Sequence, residues 1–291
     1  MARSQKILLG LVIVVAATAG FLWHVVLEED RGDTLVFAAL DVGQGDALFV
    51  EAPNGAQMLV DGGPNGAVLQ QLSSFVPFYD HTIDVLVITN PDKDHIGGFI
   101  DVLKRYEVAM VVEPGTVNQS ETYAALKKAI TEEGSKLVTA RRGMSVVLDR
   151  ERGISFDIIF PDKDVSSYTT NDGSIVGRLV YASTSVMLTG DTTQKIETYL
   201  VGLAQMSSST PLESTILKVA HHGSKTSTAP SFVAVVKPEV AVISLGKKNK
   251  YGHPNKETLE TLAGADVPVV RTDQEGTIVF ESNGKRFVRR K

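Results

Sequence analysis

The chain has 291 residues, a hydrophobic fraction of 43% and a formal net charge of −5. That length allows one large domain or two small ones with a substantial core, and the acidic balance argues against a protein that coats nucleic acid through bulk charge. With no cysteine, disulfides and thiolate ligands are excluded, so any metal must be held by His, Asp and carbonyl or amide oxygens.

Taken in chain order, the first element is an apolar run from Ile7 to Val26, preceded by Arg3 and Lys6 and followed by Glu28, Glu29 and Asp30. Roughly 17–25 apolar residues cross a bilayer as a helix. The charge order predicts a cytoplasmic N-terminus and an extracytoplasmic remainder. Ala17-Thr18-Ala19 offers a signal-peptidase site as the rival reading, but the run continues through Phe21, Leu22 and Trp23, which suits a membrane anchor better. Residues 1–27 are therefore expected to be an anchor or signal peptide, 28–33 a linker, and 34–291 one domain, since no repeat or low-complexity tract interrupts it.

Within that domain, "TLVFAAL", "ALFVEA" and "AQMLVDGG" read as strands, with Asn54-Gly55 as a hairpin turn. "DVLVIT" reads as a buried strand followed by a helix over 98–106, and "VAMVVE" as the next strand. Ser120 caps a helix that Gly134 stops. "KLVTA", "SVVLD", "ISFDIIF", "IVGRLVY" and "TSVMLTGD" form a β-rich middle. Helices over 193–204, near Pro230 and over 255–263 then alternate with the strands "STILKVA" and "VAVISLG", before closing strands that run to Arg289. This order predicts an α/β architecture of two sheets packed face to face with helices outside, its functional residues collected on loops at one edge.

Acids and histidines do gather at the predicted strand ends. "TNPDKDHIGG" places Asn90, Asp92 and Asp94 in alternation beside His95, with Gly97 and Gly98 expected to let the backbone bend close under an ion. The competing reading of this loop is a solvated turn in which Asp94 caps the next helix. Asp191 follows the strand "VML", His221 and His222 end "ILKVA", and His253 lies on the loop "KYGHP"; these places hold four of the six histidines. If Asp92, Asp94 and Asp191 share a cleft, each raises its neighbours' pKa, and a divalent cation relieves the repulsion. Imidazole and carboxylate without thiolate suit Zn or Mn.

The segments "DVGQGDALFV", "LVDGG", "TNPDKDHIGG", "VMLTGD", "LKVAHHGS" and "YGHP" resemble the motifs of metallo-β-lactamase-fold hydrolases, in particular the ComEC-like branch, and run in that family's order from about Val36 to Phe280. The resemblance implies an αββα sandwich behind the N-terminal transmembrane helix and one or two divalent ions (Zn or Mn). It makes Asp94 and His95 ligands of one metal position and Asp92 of the other, with Asp191 bridging. One of His221 and His222, together with His253, would complete the shells. His222, next to Gly223, is favoured as ligand or proton donor, and Asp94 and His222 are the expected catalytic pair. Asp41, Asp46 and Asp61 are expected to orient ligands or brace loops, with simple bracing of a glycine-rich turn equally open for Asp41 and Asp46. Asn90 departs from the pattern, since the family has histidine there. An amide oxygen is a weaker ligand for Zn though acceptable to Mn, so this position is expected to be weakened yet still occupied.

Lys247, Lys248 and Lys250 precede His253, and Lys225 follows the histidine pair. Cations beside a metal suit a phosphate-bearing substrate, either DNA or a wall polymer; a solvated basic loop is the plainer reading. The sequence thus predicts a membrane-anchored extracytoplasmic metal-dependent hydrolase of phosphodiesters, with DNA as a candidate substrate. Its alternatives are a catalytically impaired DNA- or wall-polymer-binding module of the same fold and an ester or lactone hydrolase. No protein partner is identifiable.

Overall fold

The computed structural model describes residues 3–29, 32–206 and 211–290. Residues 30 and 31 of the expected linker, and the chain ends at 1–2 and 291, lie outside the described residues. The first sheet opens with β1 (Leu35–Ala39), β2 (Leu48–Glu51), β3 (Gln57–Val60), β4 (Thr82–Val87), β5 (Glu107–Glu113) and β6 (Lys136–Thr139). The second contains β7 (Ser145–Asp149), β8 (Ile154–Phe160), β9 (Val176–Tyr181), β10 (Thr184–Leu188), β11 (Ile216–Lys218), β12 (Val240–Ile243) and β13 (Val269–Arg271). The chain then returns to the first sheet with β14 (Ile278–Ser282) and β15 (Phe287–Arg290), giving strand orders β15-β14-β1-β2-β3-β4-β5-β6 and β13-β12-β11-β10-β9-β8-β7. Strands β3 to β6 and β10 to β13 pair in parallel, whereas the other neighbours are antiparallel.

Side-chain alternation along these strands builds four layers. Phe37, Val85 and Val87 face the second sheet and meet Phe156, Leu179, Val186 and Val242. Ala38, Leu86 and Ile88 face the other way, against Phe99, Val102, Leu126 and Ile130 of the first helical layer. Leu217 and Ile243 do the same for Phe232 and Leu262 of the second helical layer. The fold is therefore the expected α/β sandwich of two sheets between helices. Ser120 accepts from the Tyr123 amide and Gly134 takes a left-handed conformation, bounding the helix Glu121–Glu133. Two short helices, Ala67–Leu72 and Thr272–Glu275, were not expected, because neither is long enough to show a helical period.

The N-terminal helix, Arg3–Glu29, contains an 18-residue stretch long and apolar enough to cross a membrane. Its Leu8, Leu11, Ile13 and Val15 are exposed, so the sandwich does not cover them. The chain enters the domain at Asp33, where Arg152 pairs with its carboxylate at 2.9 Å and Tyr181 donates to its carbonyl at 3.0 Å. That entry lies at the start of β1. The loops following β1, β3, β4, β10, β11 and β12 all emerge at the other end of the sheets, where the carboxyl ends of parallel strands commonly carry sites.

Candidate metal centre

Four of the expected residues meet at this edge: Asp94, His95, Asp191 and His222. Asp94 and His95 lie on a one-turn helix, Lys93–Ile96, whose N-cap is Asp92. Asp94 is thus in the first turn and not at the cap. This corrects the capping reading and leaves the Asp94 carboxylate free to face the cleft. Gly97 and Gly98 have ordinary helical angles, so they do not bend the chain under an ion. A side chain there would lie 2.1 Å from the Pro64 carbonyl or 2.0 Å from that of Gly62; their role is close packing of the loop after β4 on the loop after β3.

Each imidazole is held by one nitrogen and leaves the other facing the cleft. His95 Nδ1 lies 2.8 Å from Asp61 Oδ2, and Asp61 is itself held by the Thr89 amide at 2.8 Å and hydroxyl at 2.5 Å. His222 Nδ1 lies 3.0 Å from the Ser244 carbonyl. A carbonyl only accepts, so His222 carries a proton on Nδ1 and turns Nε2 inward. There His222 Nε2 is 3.3 Å from Asp94 Oδ2 and 3.8 Å from Asp191 Oδ1, and His95 Nε2 is 3.1 Å from Asp191 Oδ2. His221 and His222 both adopt left-handed backbone angles, with φ of 49° and 53°, a conformation uncommon for any non-glycine residue. The His221 ring stands at the rim, 25% exposed, with Nε2 3.9 Å from Asp191 Oδ2.

Lys218 was not singled out from the sequence, yet it is fully buried, with Nζ 2.7 Å from Asp46 Oδ2 and 3.0 Å from the Val219 carbonyl. Asp46 in turn lies 3.4 Å from His222 Nδ1. A lone lysine inside the apolar run "STILKVA" was a readable signal, because a charge in a fully buried strand requires a partner. Asp41 stays out of this cluster: its Oδ1 accepts from the Gly43 amide at 3.3 Å and braces the turn.

Asn90 and Asp92 face a different set of partners. Asn90 Oδ1 accepts from the Asp92 amide at 2.9 Å, and its Nδ2 donates to Asn171 Oδ1 at 2.8 Å. Asp92 Oδ1 accepts from Asn118 Nδ2 at 2.8 Å, and Oδ2 from the Thr170 hydroxyl at 2.9 Å. Asn118, Thr170 and Asn171 come from distant loops and carried no sequence signal. His253 is set behind His221 with ring centroids 5.6 Å apart, stacks on exposed Tyr251, and is pinned by Asn249 through its amide and carbonyl. Lys225, Lys247, Lys248 and Lys250 are exposed on the neighbouring loops, and among the described residues no carboxylate pairs with them.

Electrostatics explains what the cluster demands. Burial opposes the charged imidazole of His222, but Asp191 and Asp46 outweigh it and push the group up to about 10. Burial likewise opposes charge on His95, yet Asp191 and Asp61 raise it well above its ordinary value. Asp191 is held far below the carboxylate range by His95 and His222 despite its burial. The site thus calls for positive charge. His95 Nε2, His222 Nε2, Asp191 Oδ1 and Asp46 Oδ1 are buried without a hydrogen-bond partner, and such atoms are costly unless something binds them. The groups Asp94–His95–His222 and Asp46–His95–Asp191 each bring three ligating atoms within 4.8 Å of one another. The donors are imidazole and carboxylate, the set that suits Zn or Mn. The residues present therefore fit a divalent cation.

Comparison with known proteins agrees with this arrangement. Residues 40–247 match the model of the metallo-beta-lactamase superfamily. The chain is 31% identical over 262 residues to ComE operon protein 3 of Bacillus subtilis, covering 83% of this chain and 32% of that protein. It is 30% identical over 244 residues to Recombination protein 2 of Haemophilus influenzae, covering 82% and 28% respectively. It therefore spans about a third of the length of these curated relatives. Among solved structures, the metallo-beta-lactamase fold protein YhfI of Bacillus subtilis superposes with a TM-score of 0.51 at 11% identity, covering 81% of this chain and 95% of that one. The diiron β-hydroxylase CmlA of Streptomyces venezuelae gives 0.55 at 14% identity, covering 88% and 54%. From these matches and the strand-end cluster, the chain belongs to the metallo-beta-lactamase superfamily, in its ComEC-like branch.

Proposed function

We propose that the chain is a metal-dependent hydrolase of phosphodiesters, with DNA as the substrate, anchored by its N-terminal helix and acting outside the cytoplasm. The observation that carries the hydrolase reading is the set of buried, unpartnered imidazole and carboxylate atoms at one sheet edge. Asp94, His95, Asp191 and His222 would hold the ion, which supplies a nucleophilic water at neutral pH and polarises the bond under attack. Asp61 and the Ser244 carbonyl fix the two imidazoles in the tautomer that binding requires. His221, at the rim beside Asp191, has the water access needed to move a proton to the leaving oxygen. The exposed lysines on the flanking loops can hold non-bridging phosphate oxygens. A relative named for recombination supports DNA over other diesters.

Chain entry and site sit at opposite ends of β1, so a membrane at the entry leaves the site facing away from it. The test uses the full chain with Mn or Zn, assayed on single- and double-stranded DNA and on bis(p-nitrophenyl) phosphate. Metal-dependent cleavage that disappears in Asp191→Ala supports the reading. DNA binding without turnover in either metal would instead favour the impaired binding module, and a higher kcat/KM on esters or lactones than on diesters would favour the ester hydrolase.

A further inference from the structure

Asn90 stands where a second ion would need a ligand, and its surroundings decide whether it can serve as one. Its Oδ1 is committed to the Asp92 backbone amide at 2.9 Å. A backbone N–H only donates, so the atom facing it must be the oxygen. The other end of the amide is then an NH2, which donates to Asn171 and turns positive hydrogens outward. No cation is attracted to the NH2 end, and Oδ1, neutral and already accepting one hydrogen bond, is left a weak ligand. Asp92 has one oxygen held by Asn118 and the other by Thr170, while its carbonyl receives the His95 and Ile96 amides and starts the short helix.

A second ion would also need partners beyond Asp92. Among the described residues Asp92 joins no group of three imidazole or carboxylate atoms, whereas Asp94, His95, Asp191 and His222 all do. The two groups that do form share His95, whose Nδ1 is taken by Asp61, so its one free nitrogen ties both to one cation position. Within it, Asp46 already faces the Lys218 ammonium at 2.7 Å. That fixed charge disfavours a second cation beside Asp46 and directs the ion toward Asp94, His222 and Asp191.

We infer that this chain holds a single divalent ion, at Asp94, His95, Asp191 and His222, and that Asn90, Asn118, Thr170 and Asn171 close the neighbouring position with a hydrogen-bonded plug around Asp92. The plug keeps the His95 loop in register without a metal, so Asp92 serves as a positioning residue for Asp94 and His95. This inference rests on the metal-binding reading above and deepens it by fixing the number of ions.

The experiment counts ions and needs no turnover. The full chain is stripped with chelator and titrated with Mn(II), free ion being read by its electron paramagnetic resonance signal and bound metal by elemental analysis after buffer exchange. The expected result is one ion per chain in the wild type, and still one in Asn90→Ala and in Asn118→Ala. Asp94→Asn should weaken binding by at least about 100-fold, since losing an outer partner alone costs 10–100-fold. Two tightly bound ions in the wild type, or a loss of the ion in Asn90→Ala with the fold intact by circular dichroism, overturns the single-ion inference and leaves the hydrolase reading standing. A folded wild type that binds no ion, and so matches Asp94→Asn, overturns both.

Discussion

The loop after β4 carries two half-sites only two residues apart, and they are built on opposite principles. Each side-chain polar atom of Asn90 and Asp92 has a neutral protein partner: two asparagines, a threonine hydroxyl and a backbone amide. Around Asp94 and His95 the buried atoms point at one another across a cleft, and several find no hydrogen bond at all. The electrostatics separates the halves as well. Burial raises the Asp92 carboxyl, whereas Asp94, also opposed by its burial, is lowered by His222 and His95. A satisfied network stabilises and rigidifies a loop, whereas an unsatisfied one is destabilising on its own and is a place to bind something. The same short sequence therefore supplies a brace and a receptor.

The largest test of the open half is Lys218→Met. The ammonium is fully buried against Asp46, and removing one partner of such a pair leaves an unpaired buried charge, at a cost of about 3–5 kcal/mol. Urea denaturation of the chelated chain at pH 7 reads this. The exposed pair Lys195–Asp172, where the lysine is 72% exposed, is the control: Lys195→Met should cost less than about 1 kcal/mol. Equal losses would show that Lys218 is an ordinary salt bridge and not the fixed cation of the cleft.

Next in size is a pH effect on the segment behind His222. Glu197 lies in the helix Gln194–Met206, and its two oxygens accept the Thr228 and Ala229 amides at 2.9 and 2.6 Å, just before the helix Pro230–Val236. Burial pushes its carboxyl from an ordinary 4.5 up to about 7, against the two amides that favour the anion. Between these values the folded chain binds more protons than the unfolded one, so stability falls as pH rises from 4.5 to 7 and is level outside that window. The drop is on the order of 3 kcal/mol. Glu197→Gln should abolish that part of the slope in melts taken between pH 4 and 8. An unchanged slope would show that the carboxylate is fully stabilised by the amides.

How far the sequence revealed these two halves follows from where their partners lie. Asp94, His95, Asp191 and His222 were legible because acids and histidines at strand ends stand out against apolar runs, and all strand ends of a layered α/β sheet reach one edge. Lys218 was legible in principle, as a charge in the middle of a buried strand, but it was read as part of the run. The plug was not legible. Asn118, Thr170 and Asn171 are ordinary loop residues, and only the closure of loops 26, 78 and 81 residues away in the chain makes them partners of Asp92 and Asn90. Asn90 thus read as a weakened ligand from its type alone, while its orientation is set by the Asp92 amide. Gly97 and Gly98 were misread, because glycine marks both sharp turns and close packing.

A smaller effect is expected behind the first layer of ligands. Asp61 touches His95 and no cleft atom, so Asp61→Asn keeps the shape and removes the charge that sets the tautomer. Metal affinity should fall 10–100-fold, about 1.4–2.7 kcal/mol, with the ion count unchanged. A loss of the ion altogether would make Asp61 a ligand.

The smallest effect, and the one that separates the two ends of the domain, concerns DNA. Lys247, Lys248 and Lys250 are exposed on the loop before His253, on the site's edge. Lys285 and Arg286 lie in the turn between β14 and β15, at the chain-entry end, where Leu35 pairs with Ser282 and Ser282 with Phe287. Each phosphate contact contributes roughly 0.7–0.9 to the slope of log affinity against log salt. Changing the three loop lysines to alanine should therefore flatten that slope by about two to three for DNA held at the site. Changing Lys285 and Arg286 should leave it unaltered. Affinities measured from low to moderate salt by fluorescence anisotropy, with Asp191→Ala to prevent cleavage, give both slopes. If the two substitutions flatten it equally, the DNA is held by scattered surface charge, and the loop lysines have no special relation to the metal edge.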